Sequence, residues 1–274
     1  MPGAQSRLPT YFISHGGGPW PWIKDLMPID FAPLETSLQQ MSVELRPTPR
    51  AILCISGHWE EPTFTVMASA DPPMIYDYGG FPEFTYHLRY PAPGSPEVAR
   101  RIVDLLDGSG MDPKLDDARG FDHGTFAPFY VMYPDATVPI LQLSLRADYD
   151  PAAHLAVGRA LTPLRDEGVA IIGSGLSYHN LGALGPQGAD PSRRFDAWLT
   201  ETLCSLPPGE RAERLTRWDE APAARFCHPK EDHLIPLMVA VGAAEEELGT
   251  RTYHEDTMAG SITVSSYRFG SVPA

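Results

Sequence analysis

Cysteine is scarce in this chain: Cys54, Cys204 and Cys227 are the only three among 274 residues. They are too few and too scattered for a disulfide framework or a C-x-x-C zinc site. Cys54 falls inside an apolar run and reads as core packing. Positive charge is also short, with 21 Lys and Arg against 35 Asp and Glu and a formal net charge of −14. That balance gives no general attraction to nucleic acid or to anionic membranes, both of which need clustered cations, so small molecules are the expected partners. No uninterrupted apolar run approaches the length of a membrane span. The opening MPGAQSRLPTYF lacks the charged-then-apolar order of a secretory leader, and a cytoplasmic location is expected. The H-E-x-x-H, P-loop and G-x-S-x-G patterns are missing, and no segment is repetitive. No sequence feature specifies an oligomeric state.

What the chain does contain is a short apolar run that ends in small residues and a histidine, three times over. Ala51–Ile55 runs into Ser56, Gly57, His58 and Trp59; Tyr11–Ser14 runs into His15 and Gly16-Gly17-Gly18; Val169–Gly175 is followed by Leu176, Ser177, Tyr178 and His179. Each run has the length and composition of a strand buried on both faces, and the small residues leave room beside the histidine. In α/β sheets ligands gather beyond the carboxyl ends of the strands, so the three histidines can converge on one crevice.

The rest of the chain supplies the alternation such a sheet needs. Leu34, Leu38, Met41 and Leu45 predict a helix over 32–45, and a further strand is expected over 63–68. Residues 71–93 read as a proline-rich loop whose aromatics (Tyr76, Tyr78, Phe81, Phe84, Tyr86 and Tyr90) suit a wall or lid over a pocket. Ser95-Pro96 opens a helix that ends near Gly108. Residues 118–129 read as a loop carrying His123, 137–145 as a strand, 150–167 as a helix and 169–174 as a strand. Helices follow at about 191–206, 211–218 and 234–248, and a closing strand at 261–269. The pattern predicts one α/β domain over residues 1–274, a sandwich with a central, largely parallel or mixed sheet flanked by helices.

Nine histidines are present. His154, in a predicted helix, and His254, in a predicted polar loop, read as packing or surface residues. His15 and His58 are the first candidates for metal ligands, because neutral imidazole binds zinc and iron well and carboxylates can complete the sphere. A third ligand could come from His179, His228, His233, Glu231 or Asp232. His228 and His233 are five residues apart, about 500° around an ideal helix, so one of the two is a bystander. Gly16-Gly17-Gly18 suggests an oxyanion-hole loop, yet no serine has the nucleophile-elbow context of a serine hydrolase.

At these residues the chain resembles the DODA-type branch of the class III extradiol ring-cleavage dioxygenases, the superfamily of the protocatechuate dioxygenase catalytic subunit. The matching motifs are SHGGGP (14–19), SGHW (56–59), YDYGGFP (76–82), YPAPGSP (90–96), GFDHGT (120–125), SYHN (177–180) and HPKEDHLIPL (228–237), in order along nearly the whole chain. The resemblance implies a single α/β domain in which His15, His58 and His233 bind a metal. It gives His179 an acid/base role beside the metal, or a fourth-ligand role when zinc is bound, and His123 a contact with substrate or oxygen.

The implied reaction inserts O2 into a catechol-type ring with opening adjacent to the diol, and His179 and His123 are expected to move the protons. Imidazole suits that work as a residue type that titrates near neutrality. Fe(II) is the implied metal. Protocatechuate-type enzymes complete the sphere with a glutamate where this chain has His233 beside Asp232, and a histidine-rich set also takes Zn(II). A substrate carboxylate would need a cation, for which Arg89 is the candidate, with Tyr78 as a further substrate contact. Two other readings remain at this point: a zinc-dependent, non-oxidative, hydrolase-like enzyme on the same scaffold, and a binding protein without activity. Retention of all five histidines disfavours the second.

Overall fold

The computed structural model describes residues 7–273; residues 1–6, half of the opening stretch read above for a leader, lie outside the described residues. Eight strands form one sheet: β1 Thr10–Ser14, β2 Ala51–Glu61, β3 Thr65–Met67, β4 Lys114–Asp116, β5 Ile140–Arg146, β6 Val169–Gly175, β7 Gly249–Met258 and β8 Ile262–Phe269. Their order across the sheet is β4-β3-β5-β2-β6-β1-β8-β7. The central four, β5, β2, β6 and β1, are mutually parallel. Antiparallel pairs flank them, β3 on β5 at one side and β8 on β1 and β7 at the other. The expected α/β sandwich with a mixed sheet is what forms.

The main helices are α1 Ala32–Glu44, α2 Pro96–Gly108, α3 His123–Met132, α4 Pro151–Leu161, α5 Pro163–Asp166, α6 Pro186–Ser205, α7 Pro208–Thr216, α8 Ala224–Cys227 and α9 Pro236–Ala243. Successive side chains of a strand point to opposite faces, and this sorts the layers. On β1 the Thr10 hydroxyl donates to the Ala240 carbonyl of α9, while the next residue, Tyr11, donates to Glu44 of α1. On β6 Gly173 lies against Pro236 of α9, while Ser174 donates to the Gly124 carbonyl of α3. So α9 covers one face and α1 with α3 the other. Both faces being covered, β6 is buried at every position, which is why its sequence is one apolar run without alternation.

Several elements differ from the sequence reading. Residues 123–132 are helical, not loop: Asp122 caps α3 by accepting the Thr125 N–H, and the helix is apolar all round, so it has no amphipathic stripe to read. The helix expected over 150–167 breaks into α4 and α5 before Pro163, and that expected over 234–248 is confined to Pro236–Ala243. His254 lies on β7, the edge strand, and not in a loop. β2 continues through His58, which sits where its pairing with β6 has ended at Ser56 and its register with β5 shifts between Ile55 and Glu60. Among the described residues no helix is long and apolar enough to cross a membrane.

Candidate metal centre

β1, β2 and β6 run in parallel, so their carboxyl ends meet at one edge of the sheet and deliver His15, His58 and His179 there. His15 follows β1 directly, its N–H donating to the Gly175 carbonyl at 3.2 Å, and its own carbonyl accepts from the Trp20 indole at 2.8 Å. Gly16, at φ +79°, makes that turn, and a side chain there would strike the indole. His233 arrives from 175 residues beyond His58, on the turn that precedes α9. Gly57, Gly173 and Gly175 allow it: a Cβ at any of them would press on the backbone of Asp232, His233 or Pro236. The turn is stitched down by the Leu176 N–H donating to the His233 carbonyl at 3.0 Å.

Five imidazoles meet as a result. Ring centroids lie 5.0 Å apart for His15 and His58, 5.2 Å for His15 and His233, and 4.6 Å for His58 and His233. His123 packs 4.0 Å from His58, and His179 stacks on His233 at 3.4 Å. His15, His58 and His233 each offer a nitrogen within 4.8 Å of the others. His228 stays out of the cluster: it is buried against Phe195 and Trp218, its Nε2 donating to the Ser177 carbonyl at 3.0 Å. Of the two histidines five apart, His228 is the bystander.

Two carboxylates stand behind the rings. Asp232 Oδ1 accepts from His233 Nδ1 at 3.0 Å and from the His233 N–H at 2.8 Å, and lies 3.6 Å from His179 Nδ1. Asp77 Oδ1 accepts from His123 Nδ1 at 2.8 Å and from its N–H at 3.0 Å, while Oδ2 lies 3.2 Å from His58 Nδ1. Burial works to raise both carboxyls, but the hydrogen bonds from the histidines outweigh it and hold both below the ordinary range. An ionised carboxylate only accepts, so His123 and His233 donate to it through an Nδ1 hydrogen, which in the neutral ring leaves Nε2 bare. The Nε2 atoms of His58 and His233 face one another at 3.1 Å, within hydrogen-bonding distance.

Burial, and then the neighbouring histidines, push His15 and His58 well below the usual imidazole range. Burial takes His233 down to about 4, although Asp232 opposes it. A neutral imidazole offers one ring lone pair, the form in which histidine binds a metal ion. His15 is 1% exposed and neither of its ring nitrogens has a hydrogen-bond partner. Buried polar atoms are rarely left so, and a cation shared by the three imidazoles would take up one nitrogen of each. The donor set fits a divalent metal.

Asp122 fixes the floor. Fully buried, it accepts from the Ser56 hydroxyl at 2.7 Å, the Gln142 amide at 2.6 Å and the Thr125 N–H at 3.1 Å, and pairs with Arg119. It thereby pins the start of α3 to β2 and brings His123 against His58. The sequence reading missed Asp77 and Asp122 and weighed Asp232 only as a ligand. The Asp-His pairs at 122–123 and 232–233 were available as a signal; Asp77 had only its place in YDYGGFP.

Tyr78 is beside the cluster, its ring 5.9 Å from His123 and 5.5 Å from Phe81, but its hydroxyl is committed to the Thr85 carbonyl. Arg89 is not. It is exposed and borders a separate depression with Asp71, Pro72, Pro73, Met74, Tyr90 and Pro91, away from every histidine of the cluster. The structure does not bring it to the cluster, and a loop sequence gives no sign of which side a charged residue faces.

A mixed sheet carrying a histidine crevice at its carboxyl edge defines a class of α/β enzyme, and comparison with known proteins gives the family. Residues 11–270 match the family described as the catalytic LigB subunit of aromatic ring-opening dioxygenase; the chain belongs to that family and is an extradiol ring-cleavage dioxygenase. It is 40% identical over 270 residues to a 4,5-DOPA dioxygenase extradiol of Beta vulgaris, covering 96% of each chain. A protein of the same name from Escherichia coli (strain K12) is 33% identical over 272 residues, covering 97% of this chain and 96% of the relative. A crystal structure of an uncharacterized Escherichia coli K12 protein superposes with a TM-score of 0.78 at 29% identity, covering 96% of this chain and all of that one.

Proposed function

We propose that residues 1–274 act as one catalytic domain, a non-haem, metal-dependent dioxygenase that opens a catechol-type ring beside its diol with incorporation of O2. The observation that carries the reading is the convergence of His15, His58 and His233, each with a nitrogen within 4.8 Å of the others, His15 being buried with neither ring nitrogen partnered. His15, His58 and His233 would hold the metal, Fe(II) in the active enzyme, and a histidine-rich set also accepts Zn(II). When bound, the iron supplies the point at which the catechol oxygens and O2 are brought together and electrons pass between them.

The chain's own side chains do the remaining work. Asp77 leaves His123 with a bare Nε2, able to take up a proton and hand it on, and His179, stacked on His233, is the second proton carrier. Between them they take the catechol proton and return one to the opening ring. Tyr78, with its hydroxyl occupied, offers a ring face, and with Phe81 and Phe126 gives an aromatic substrate an apolar wall. The side chains of His58 and His179 keep 18% and 19% of their surface exposed, which leaves the crevice an opening for a small molecule.

The names of the relatives make dihydroxyphenylalanine the first catechol to assay. Protein loaded with Fe(II) under anaerobic conditions and then given O2 is expected to turn it, or another catechol, into a yellow ring-opened product with one O2 consumed per ring. Iron-loaded protein that leaves a broad catechol panel untouched contradicts the reading.

A further inference from the structure

Four of the five clustered histidines fall into two pairs, each with one carboxylate behind it, and in each pair one ring is a proposed ligand and the other a proposed proton carrier. Asp232 lies behind His233 and His179, and Asp77 behind His58 and His123. The two carboxylates come from unrelated segments, so the repetition is not a by-product of one local motif. His15 alone has no such partner.

We infer that Asp77 is a positioning residue: its two oxygens set the tautomer of a metal ligand, His58, and of a proton carrier, His123, together. The inference rests on the metal-centre reading of the site. Asp77 is suited to it by geometry. Its side chain keeps only 20% of its surface exposed although the residue lies in an open loop, and Oδ1 is anchored twice on His123, through the ring and the backbone N–H. That anchoring fixes the direction of Oδ2, 3.2 Å from His58 Nδ1. An anionic oxygen at that distance favours a hydrogen on Nδ1 over a bare lone pair, and in the inferred tautomer the bare Nε2 faces His233.

A plain alternative is that Asp77 only ties the aromatic loop to the start of α3. Asp77→Asn separates the two. Its amide oxygen can still accept from His123, but its NH2 then points at His58 Nδ1 and requires an acceptor there. His58 must move its hydrogen to Nε2, the atom that the metal needs bare.

The test reads imidazole tautomers by long-range 1H–15N correlation in full-length, metal-free protein, and Zn(II) affinity by chelator competition. Wild type is expected to carry hydrogen on Nδ1 of both His58 and His123. In Asp77→Asn, His58 is expected to switch to Nε2–H and Zn(II) affinity to fall roughly 10- to 100-fold, with the thermal midpoint kept within a few degrees, the range seen for lost carboxylate partners of ligating histidines. Asp77→Ala, with the Zn(II) measurement alone, stands in if the Asn variant does not fold. Wild-type His58 protonated on Nε2, or an Asn variant with unchanged tautomers and affinity, overturns the inference. Wild type that binds neither Zn(II) nor Fe(II) counts against the metal centre instead, and the tautomers of the metal-free protein then decide the role of Asp77.

Discussion

His154 shows what burial alone does to an imidazole in this chain. It is fully buried, its Nδ1–H donates to the Asp150 carbonyl at 2.7 Å, and its Nε2 accepts from the Arg146 N–H at 3.1 Å. Both nitrogens are satisfied by the backbone, so the ring is structural, as its place in a predicted helix suggested. His15, equally buried, has neither nitrogen satisfied, and that difference is invisible in sequence. Burial takes the His154 pKa from 6.5 down to about 4. Below 6.5 the unfolded chain binds a proton that the folded chain refuses, so stability is full above that pH and drains as pH falls toward 4, by roughly 3 kcal/mol for this one group. His154→Gln is expected to be less stable at neutral pH but to lose less on acidification across that window. Urea unfolding at several pH values measures both slopes, and equal slopes would refute the assignment.

Between elements, the determining feature is how closely the turn before α9 lies on the strand ends. Small residues after the apolar runs were readable as space beside His58; that the occupant would be His233 was not, because a glycine says that something approaches without saying what. Gly175 is the sharpest case, since a methyl there would meet the His233 carbonyl. Gly175→Ala is predicted to cost about 1–3 kcal/mol as an overpacked site and to weaken Zn(II) binding by shifting His233, whereas an unchanged metal affinity in the folded variant would show that the turn is held elsewhere. The missed elements have equally physical causes. α3 is buried on every side and so lacks periodicity, while β7 is an edge strand whose charged residues, among them Arg251, Glu255 and Asp256, are what an unpaired edge needs and hide its strand character.

At the scale of the whole molecule, fold class was legible because a doubly covered sheet leaves an uninterrupted apolar signature at β2 and β6, and five motif histidines marked the crevice. Strand order was not legible, nor was Asp77 as the carboxylate behind His58 and His123, because both depend on segments far apart in sequence; Asp77 and His123 are 46 residues apart. The side to which a loop cation faces was not legible either, as the separate depression bordered by Arg89 shows.

Whether three imidazoles from distant parts of the chain share one cation is tested most directly by the metal stoichiometry of Fe(II)-reconstituted protein after gel filtration. The prediction is about one iron per chain in wild type, none retained in His58→Ala, and near wild-type content without turnover in His179→Ala. Wild type that keeps no iron, or His58→Ala that keeps as much as wild type, would contradict it, and loss of all iron in His179→Ala alone would reverse the division between ligand and proton carrier.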